Sequence, residues 1–467
     1  MIDPVRAAAL ALLIEAEATP TPIKEALDRA ETRLPREHDR ALLHSLVNET
    51  LRHRPRLDDT LAPWIAPRRL ADLEPVVRNL LRLGLAQLVL HDRIPPHAAV
   101  DTAVSLAHHE LHAGAAGFIN AVLRRAVREG LARWRGPQAA SIEALDDPRQ
   151  LAVRFSTPEW LVRRWVDRFG LERARRALAA GAETPATWVR FRADQLALDR
   201  RAATPGHAPI PPALAAELGL EDDALHPWLP GVARVRAGTR PATLPGFRDG
   251  RYTIQDPSAV AVGWLPPVVR GRILDACAAP GTKTGHLLER AEAGTRLLAL
   301  DRTRSRLALV RQGLLRLGLR ADCLVGDARH LPFSSGFDGI LIDAPCSNLG
   351  VLRRRVEVRW RSFEESLVRL ADTQAAILRA AARALLPGGW LVYSVCTTEP
   401  EETTRQRDRF FDEQKAFEPC PLPELVPAAA RGREGELILI PGELETDGGY
   451  AFVVVKTGPG SGGSAGA

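Results

Sequence analysis

The chain has 467 residues, and 45% hydrophobic against 26% charged content is the balance of a globular protein with apolar mass for several cores. At about 150 residues per domain, a single small module is excluded, and so is disorder throughout. The net charge of +6 rests on 63 Lys plus Arg, of which only Lys24, Lys283, Lys415 and Lys456 are lysines, so a polyanionic partner is permitted without being required.

The amino terminus sets Asp3, Glu15 and Glu17 around a short Ala/Leu run and lacks the basic-then-apolar order of a signal peptide. A cytoplasmic protein is expected. From Pro4 to about Gly130, Ala, Leu and Val recur at three- and four-residue spacing with Arg, Glu and Asp between them. Pro35, Pro55, Pro75 and the pair Pro95-Pro96 divide this stretch into segments of ordinary helix length, so 1–133 is expected to be an all-α domain. Residues 134–250 change to mixed helix and short strand, broken by the Pro-rich text "ATPGHAPIPP", and are expected to form a connecting subdomain. Within it Thr157 is placed to cap a helix beginning near Pro158, which carries three arginines beside Trp160 and Trp165. A solvated amphipathic face and an RNA-facing one fit that pattern equally.

After about Arg251 the pattern changes again. Ser258 to Val269 is the longest apolar stretch, but Pro266 and Pro267 interrupt it and it falls short of the ~18 residues of a membrane helix. No membrane partner is expected. "RILDAC", "RLLALD", "DCLVGD", "GILIDAP" and "WLVYSVC" are short apolar runs alternating with helical segments, each carrying an acid or a cysteine at or near its end. Five buried strands of this kind predict a doubly wound parallel sheet, which binds ligands beyond the carboxyl ends of its strands. "ELILIPGE" and "YAFVVVKT" are expected to close one edge in antiparallel fashion, and 459–467 reads as a disordered Gly/Ser tail.

The first of these strands runs into a small-residue turn, Ala278, Ala279, Pro280 and Gly281, and then a helix. Such a turn lets a ligand approach backbone N–H groups at a helix start. It lacks the G-x-x-x-x-G-K-[ST] of a P-loop and the G-x-G-x-x-G of dinucleotide binders. Asp301 ends the second strand, where a carboxylate can accept from both hydroxyls of a ribose, and Asp327 ends the third, where it can meet an adenine. Together these positions describe S-adenosylmethionine. Tight strand–helix packing would also use small residues, but acids closing successive strands, Asp301 and Asp327 after Asp275, favour the cofactor.

Five cysteines, at 277, 323, 346, 396 and 420, without a C-x-x-C pair, argue against a disulfide framework and a zinc site, and no metal is expected. A lone cysteine is most often a small buried residue, but Cys346 and Cys396 follow adjacent strands at the expected ligand rim. A thiolate there has a use. Carbon 5 of cytosine becomes nucleophilic once a thiolate adds to carbon 6, and Asp343 beside the ring could hold the proton that this addition needs. In "DAPC" a thiol stands where enzymes that methylate an exocyclic amine place a stacking aromatic.

"LRLGLAQLVLHDRIPPHAAVDTAVSLAHHELHAGAAGFINAVLRR", Leu81 to Arg125, resembles the NusB-like RNA-binding fold. "DACAAPGTKT", "ALD", "GDAR", "DAPCSNLGVLRR" and "YSVCTTEPEE" are similar in order and spacing to the motifs of the RsmB/NOP (Sun) family of RNA 5-methylcytosine methyltransferases, and the likeness extends over nearly the whole chain. It implies a NusB-like all-α RNA-binding domain (1–133), a mixed α/β connecting RNA-binding subdomain (134–250) and a Rossmann-like α/β methyltransferase domain (251–458). The implied activity is methylation of carbon 5 of a cytosine in RNA, 16S rRNA foremost, by a monomer. The resemblance places S-adenosylmethionine on Cys277, Ala278, Ala279, Pro280, Gly281, Thr282 and Lys283, and on Asp301, Asp327 and Asp343. It makes Cys396 the nucleophile and gives Cys346 a role in product release, a choice that the residues alone leave open.

Two departures stand out. Thr282 occupies a place where the family usually has glycine, so a conformation that only glycine reaches easily is not expected there. The stretch Arg353-Arg354-Arg355-Val356-Glu357 before Arg359-Trp360 lacks the usual proline; its arginines are expected to touch phosphates and Trp360 to pack. The competing readings are an RNA-binding assembly or antitermination factor with a vestigial catalytic domain, and a methyltransferase acting on a protein or small molecule. If the catalytic domain works alone, isolated 272–458 keeps cofactor affinity and loses RNA selectivity.

Overall fold

The computed structural model describes residues 2–19, 22–139, 145–192, 194, 210–361 and 364–458. The tail expected at 459–467, and most of the Pro-rich text at 203–212, lie outside the described residues. The chain divides into two compact units, Met1–Glu183 with Leu352–Ser362, and Thr184–Val351 with Phe363–Ala467.

Among its described residues the first unit is built of helices and the turns between them. Asp3 starts the helix Pro4–Ala18 by accepting from the N–H groups of Val5 and Arg6, while Pro75 and Pro96 open Pro75–Leu90 and Pro96–Glu110, where a missing N–H costs nothing. Leu80, Leu81 and Leu85 are fully buried against Leu57, Leu61, Leu106 and Ile119, each such side chain contributing roughly 1.5–3 kcal/mol. Of the segment expected to connect the domains, the helices Pro148–Arg154, Glu159–Phe169 and Leu171–Ala182 fall in this unit. Thr157 does not cap the second of these: its hydroxyl donates to the Phe155 carbonyl at 3.1 Å, and Pro158 stands at the cap without a side-chain bond.

Leu352–Ser362 belongs to this helical unit, although the sequence on both sides of it belongs to the other. Val356 joins the core of Leu43, Leu46 and Leu51. Arg359, 1% exposed, donates to the carbonyls of Phe155 (3.0 Å), Ser156 (2.9 Å) and Gly181. The terminal nitrogens of Arg359 are thus spent on backbone carbonyls. Trp360 packs as expected, its Nε1 donating to the Leu51 carbonyl at 3.1 Å.

In the second unit β1 (Trp188–Phe191), β2 (Val232–Arg234) and β3 (Tyr252–Ile254) form a small antiparallel sheet in the order β2-β1-β3. The large sheet contains β4 (Arg272–Asp275), β5 (Arg296–Asp301), β6 (Asp322–Val325), β7 (Phe337–Asp343), β8 (Leu385–Val395), β9 (Phe417–Pro419), β10 (Glu436–Leu439) and β11 (Gly449–Lys456). Its order is β10-β11-β8-β7-β4-β5-β6, with β9 on β11. From β8 to β6 all pairs are parallel; β11 and β10 close the other edge antiparallel, as the sequence predicts. β4, β5, β7 and β8 carry the fully buried runs, such as Ile340-Leu341-Ile342. β6 corrects the expectation of a fifth buried strand: it pairs only with β5 and leaves Val325 exposed, as an edge strand does. The chain proceeds from β4 to β5 and β6 on one side and to β7 and β8 on the other, so the order reverses between β4 and β7. Ligands bind at that reversal in doubly wound sheets.

Candidate active site

Five strands deliver functional side chains to the carboxyl end of this sheet. Register sets their spacing. Asp343, the last residue of β7, lies opposite Ser394 in β8, and the Ser394 hydroxyl donates to Asp343 Oδ1 at 2.9 Å. Cys396 directly follows β8 and Cys346 lies three residues past β7, and their sulfurs stand 3.2 Å apart as free thiols. Both are half-buried, open enough to meet a ligand. The hydrogen bond with Cys396 and burial together push the Cys346 thiol well above the ordinary range.

Lys283 lies in the first turn of the helix Thr282–Arg290 that follows β4. Its ammonium donates to Asp343 Oδ2 at 2.6 Å, and despite burial the Asp343 charge holds its pKa above the usual value. The sequence placed Lys283 in a cofactor loop; the structure places its charge on Asp343. Gly281 before it takes φ +102°, and a Cβ there would lie 3.0 Å from the Val310 backbone. Glycine is therefore required at 281 and not at 282, where Thr282 is already helical.

Asp301 is buried at the end of β5. Its Oδ2 accepts from the Ala279 N–H at 3.2 Å and pairs with Arg306 at 3.4 Å. A carboxylate has about four acceptor positions, so capacity for hydroxyl donors is left. Asp327, after β6, is held down to about 2 by the hydrogen bonds of Arg329, its neighbour but one. Cys277 packs against the core and burial pushes its thiol far up, so its place in the turn is a backbone one.

Several residues not assigned a role from the sequence complete the site. Asp275 ends β4 fully buried, with Oδ2 accepting from Thr284 Oγ1 at 2.7 Å and Oδ1 unpartnered; burial raises it to about 7. Glu402 Oε1 accepts from the Ser347 N–H and from Gln374 Nε2, each at 2.9 Å, and Gln374 also donates to the Pro345 carbonyl at 3.0 Å. The loop that carries Cys346 is thus tied from beneath. Asn348 Oδ1 accepts from the Cys396 thiol at 3.0 Å. Ser394 could have been found by strand alternation, two residues before Cys396; Gln374, 28 residues from Glu402, leaves no local signal.

Residues 262–454 match the family model described as 16S rRNA methyltransferase RsmB/F, and residues 3–128 match that of the NusB family. The chain is 34% identical over 436 residues to the probable ribosomal RNA small subunit methyltransferase B of Bacillus subtilis, covering 90% of this chain and 92% of that one. It is 33% identical over 458 residues to ribosomal RNA small subunit methyltransferase B of Vibrio vulnificus, covering 97% and 99%. The crystal structure of PH0851 superposes with a TM-score of 0.75 at 21% identity, over 98% of this chain and 99% of that one, a likeness of fold. A methyltransferase homologue from Pyrococcus horikoshii is 25% identical with a TM-score of 0.54, over 67% of this chain and 100% of its own.

Proposed function

The chain belongs to the RsmB/F family of S-adenosylmethionine-dependent methyltransferases that act on ribosomal RNA, and from that premise we propose that it methylates carbon 5 of a cytosine in 16S rRNA through a covalent adduct at carbon 6. The observation that carries this reading is the pair of free thiols 3.2 Å apart beside Asp343. Methylation of an exocyclic amine needs neither thiol.

The residues at the β4–β7 reversal fit the cofactor. The Cys277 to Lys283 turn offers backbone N–H groups at a helix start, Asp301 has acceptor capacity for a ribose, and Asp275 Oδ1 is a buried acceptor without a partner. Asp327 would meet the adenine by exchanging one of its Arg329 bonds, and Asp343 borders the reacting groups. When bound, S-adenosylmethionine supplies an electrophilic methyl on its sulfonium, which the activated carbon 5 takes.

The protein's residues do the rest. Cys396 adds as thiolate to carbon 6, and its proton ends on ring N3, held there by Asp343. Once Cys396 is bonded to carbon, it no longer offers a thiol or thiolate to Cys346, so one of the causes that raise the Cys346 thiol is removed while burial remains. Cys346, its own proton given up to solvent, takes the carbon-5 proton as the Cys396–carbon bond breaks; N3 returns its proton to Cys396, and the positive charge brought by the sulfonium leaves as the one proton that Cys346 released. The base must be unstacked to meet the thiol, so the target is a loop or a flipped nucleotide. RNA docking is assigned to 1–133 and 134–250 and methyl transfer to 251–458, in a cytoplasmic monomer that uses no metal.

The test is direct. Cys396→Ala is expected to abolish both methylation and any covalent protein–RNA band on denaturing gels, whereas Cys346→Ala accumulates that band; the reverse pattern exchanges the two roles. Mass analysis of 16S rRNA from a deletion strain should reveal one cytosine lacking one methyl, and an unchanged rRNA would overturn the substrate.

A further inference from the structure

Asn348 stands in the left-handed region at φ +61°, a conformation that asparagine tolerates better than most residues with a side chain. Its Nδ2 donates to the Cys346 carbonyl at 2.8 Å. That bond fixes the amide, because the flipped form would set carbonyl against carbonyl. Only Oδ1 can then face Cys396, and it accepts from the thiol at 3.0 Å.

The loop cannot back away. The Gly350 N–H donates to the Cys396 carbonyl at 3.0 Å, and the Gly448 N–H to the Gly350 carbonyl at 2.9 Å. A Cβ on Gly350 would lie 2.4 Å from the Gly448 oxygen, so this lacing is close-packed. Facing the thiol are the Lys283 ammonium, whose charge is shared with Asp343, and the Cys346 thiol; Asp275 is bonded to Thr284 and Glu402 to the Ser347 N–H. The ammonium of Lys283 favours a thiolate. An amide oxygen does the opposite, since it binds S–H and repels S⁻.

We propose that Asn348 is a positioning residue that keeps Cys396 as an aimed, neutral S–H in the substrate-free enzyme, so that the proton is released only when the target ring arrives to receive it at N3. The inference rests on the reading of Cys396 as the nucleophile. It gives the free enzyme protection: a thiol held protonated is a poor target for stray electrophiles.

The experiment uses the full chain with Asn348→Gly, which retains the left-handed backbone, and Asn348→Asp. Iodoacetamide alkylation is followed against pH, with Cys346 and Cys396 resolved by mass in their separate tryptic peptides. Loss of the acceptor should move the Cys396 alkylation midpoint down by about 1 pH unit, and the carboxylate of Asn348→Asp should move it up by about as much. Adduct formation with RNA in a single turnover should fall several-fold in both, with RNA and S-adenosylmethionine affinities within about twofold of the parent. A midpoint for Asn348→Gly at or above the parent's, or one for Asn348→Asp at or below it, overturns the proposal. Methylation retained by Cys396→Ala would instead sink the parent reading, and the alkylation midpoints would still decide what Asn348 does to the thiol.

Discussion

Asp275 holds one oxygen on Thr284 and leaves the other without a partner, away from water. Burial raises this carboxyl to about 7 against about 3.9 in an unfolded chain. For an acid raised on folding, the native state binds the extra proton, so the stability it contributes is complete below about pH 4 and is lost as pH rises through about 7. An amide in its place would never ionise. The melting temperature of cofactor-free Asp275→Asn relative to the parent should therefore climb between pH 5 and pH 8, by several degrees for roughly 2–3 kcal/mol. An equal difference at both pH values would mean that the carboxyl is not strained. None of this is legible locally: Asp275 and Asp301 read alike as acids ending strands. Their environments come from Thr284 in one case and from Ala279 and Arg306 in the other. Asp343, Cys346 and Cys396 were legible because each ends or follows an apolar run.

Among the elements, apolar runs made the interior strands readable, while β6, with the similar text "DCLV", differs only in having a neighbour on one side. The place of Leu352–Ser362 in the helical unit was unreadable for a stronger reason. The segment's three consecutive arginines draw the eye, but what ties it to the helical unit is Arg359, fixed by Phe155, Ser156 and Gly181, about 180 to 200 residues earlier. No spacing rule reaches so far. Burial pulls this guanidinium down to about 9, so it is still charged at neutral pH and depends on those three carbonyls. Arg359→Met would leave them buried without a donor, at 1–3 kcal/mol each before relaxation, so a net loss of about 3 kcal/mol is expected. Arg359→Lys, a point charge without the planar fork, should fall between. Urea midpoints followed by circular dichroism measure this; unchanged stability with weakened RNA binding would assign Arg359 to RNA instead.

For the whole molecule, the division of the chain changes how it can be cut. The expected fragment 272–458 would carry away Leu352–Ser362, and with it Val356, Arg359 and Trp360, all of which the helical unit uses. Loss of RNA selectivity in that fragment would then have two causes, the missing docking surface and an exposed apolar strand of chain. The helical side offers a cleaner experiment. A fragment 1–183 lacks the donor for the Phe155, Ser156 and Gly181 carbonyls and a core residue beside Leu43 and Leu46. It should melt below its transition in the intact chain. A synthetic peptide of residues 352–362 should bind it and raise its melting temperature with peptide concentration, because a ligand of the native state stabilises by mass action. A peptide with Arg359→Met and Val356→Ser should do neither. If the parent peptide leaves the fragment's melting unchanged at millimolar concentration, the segment is held in place by the rest of the chain and contributes little to the helical unit.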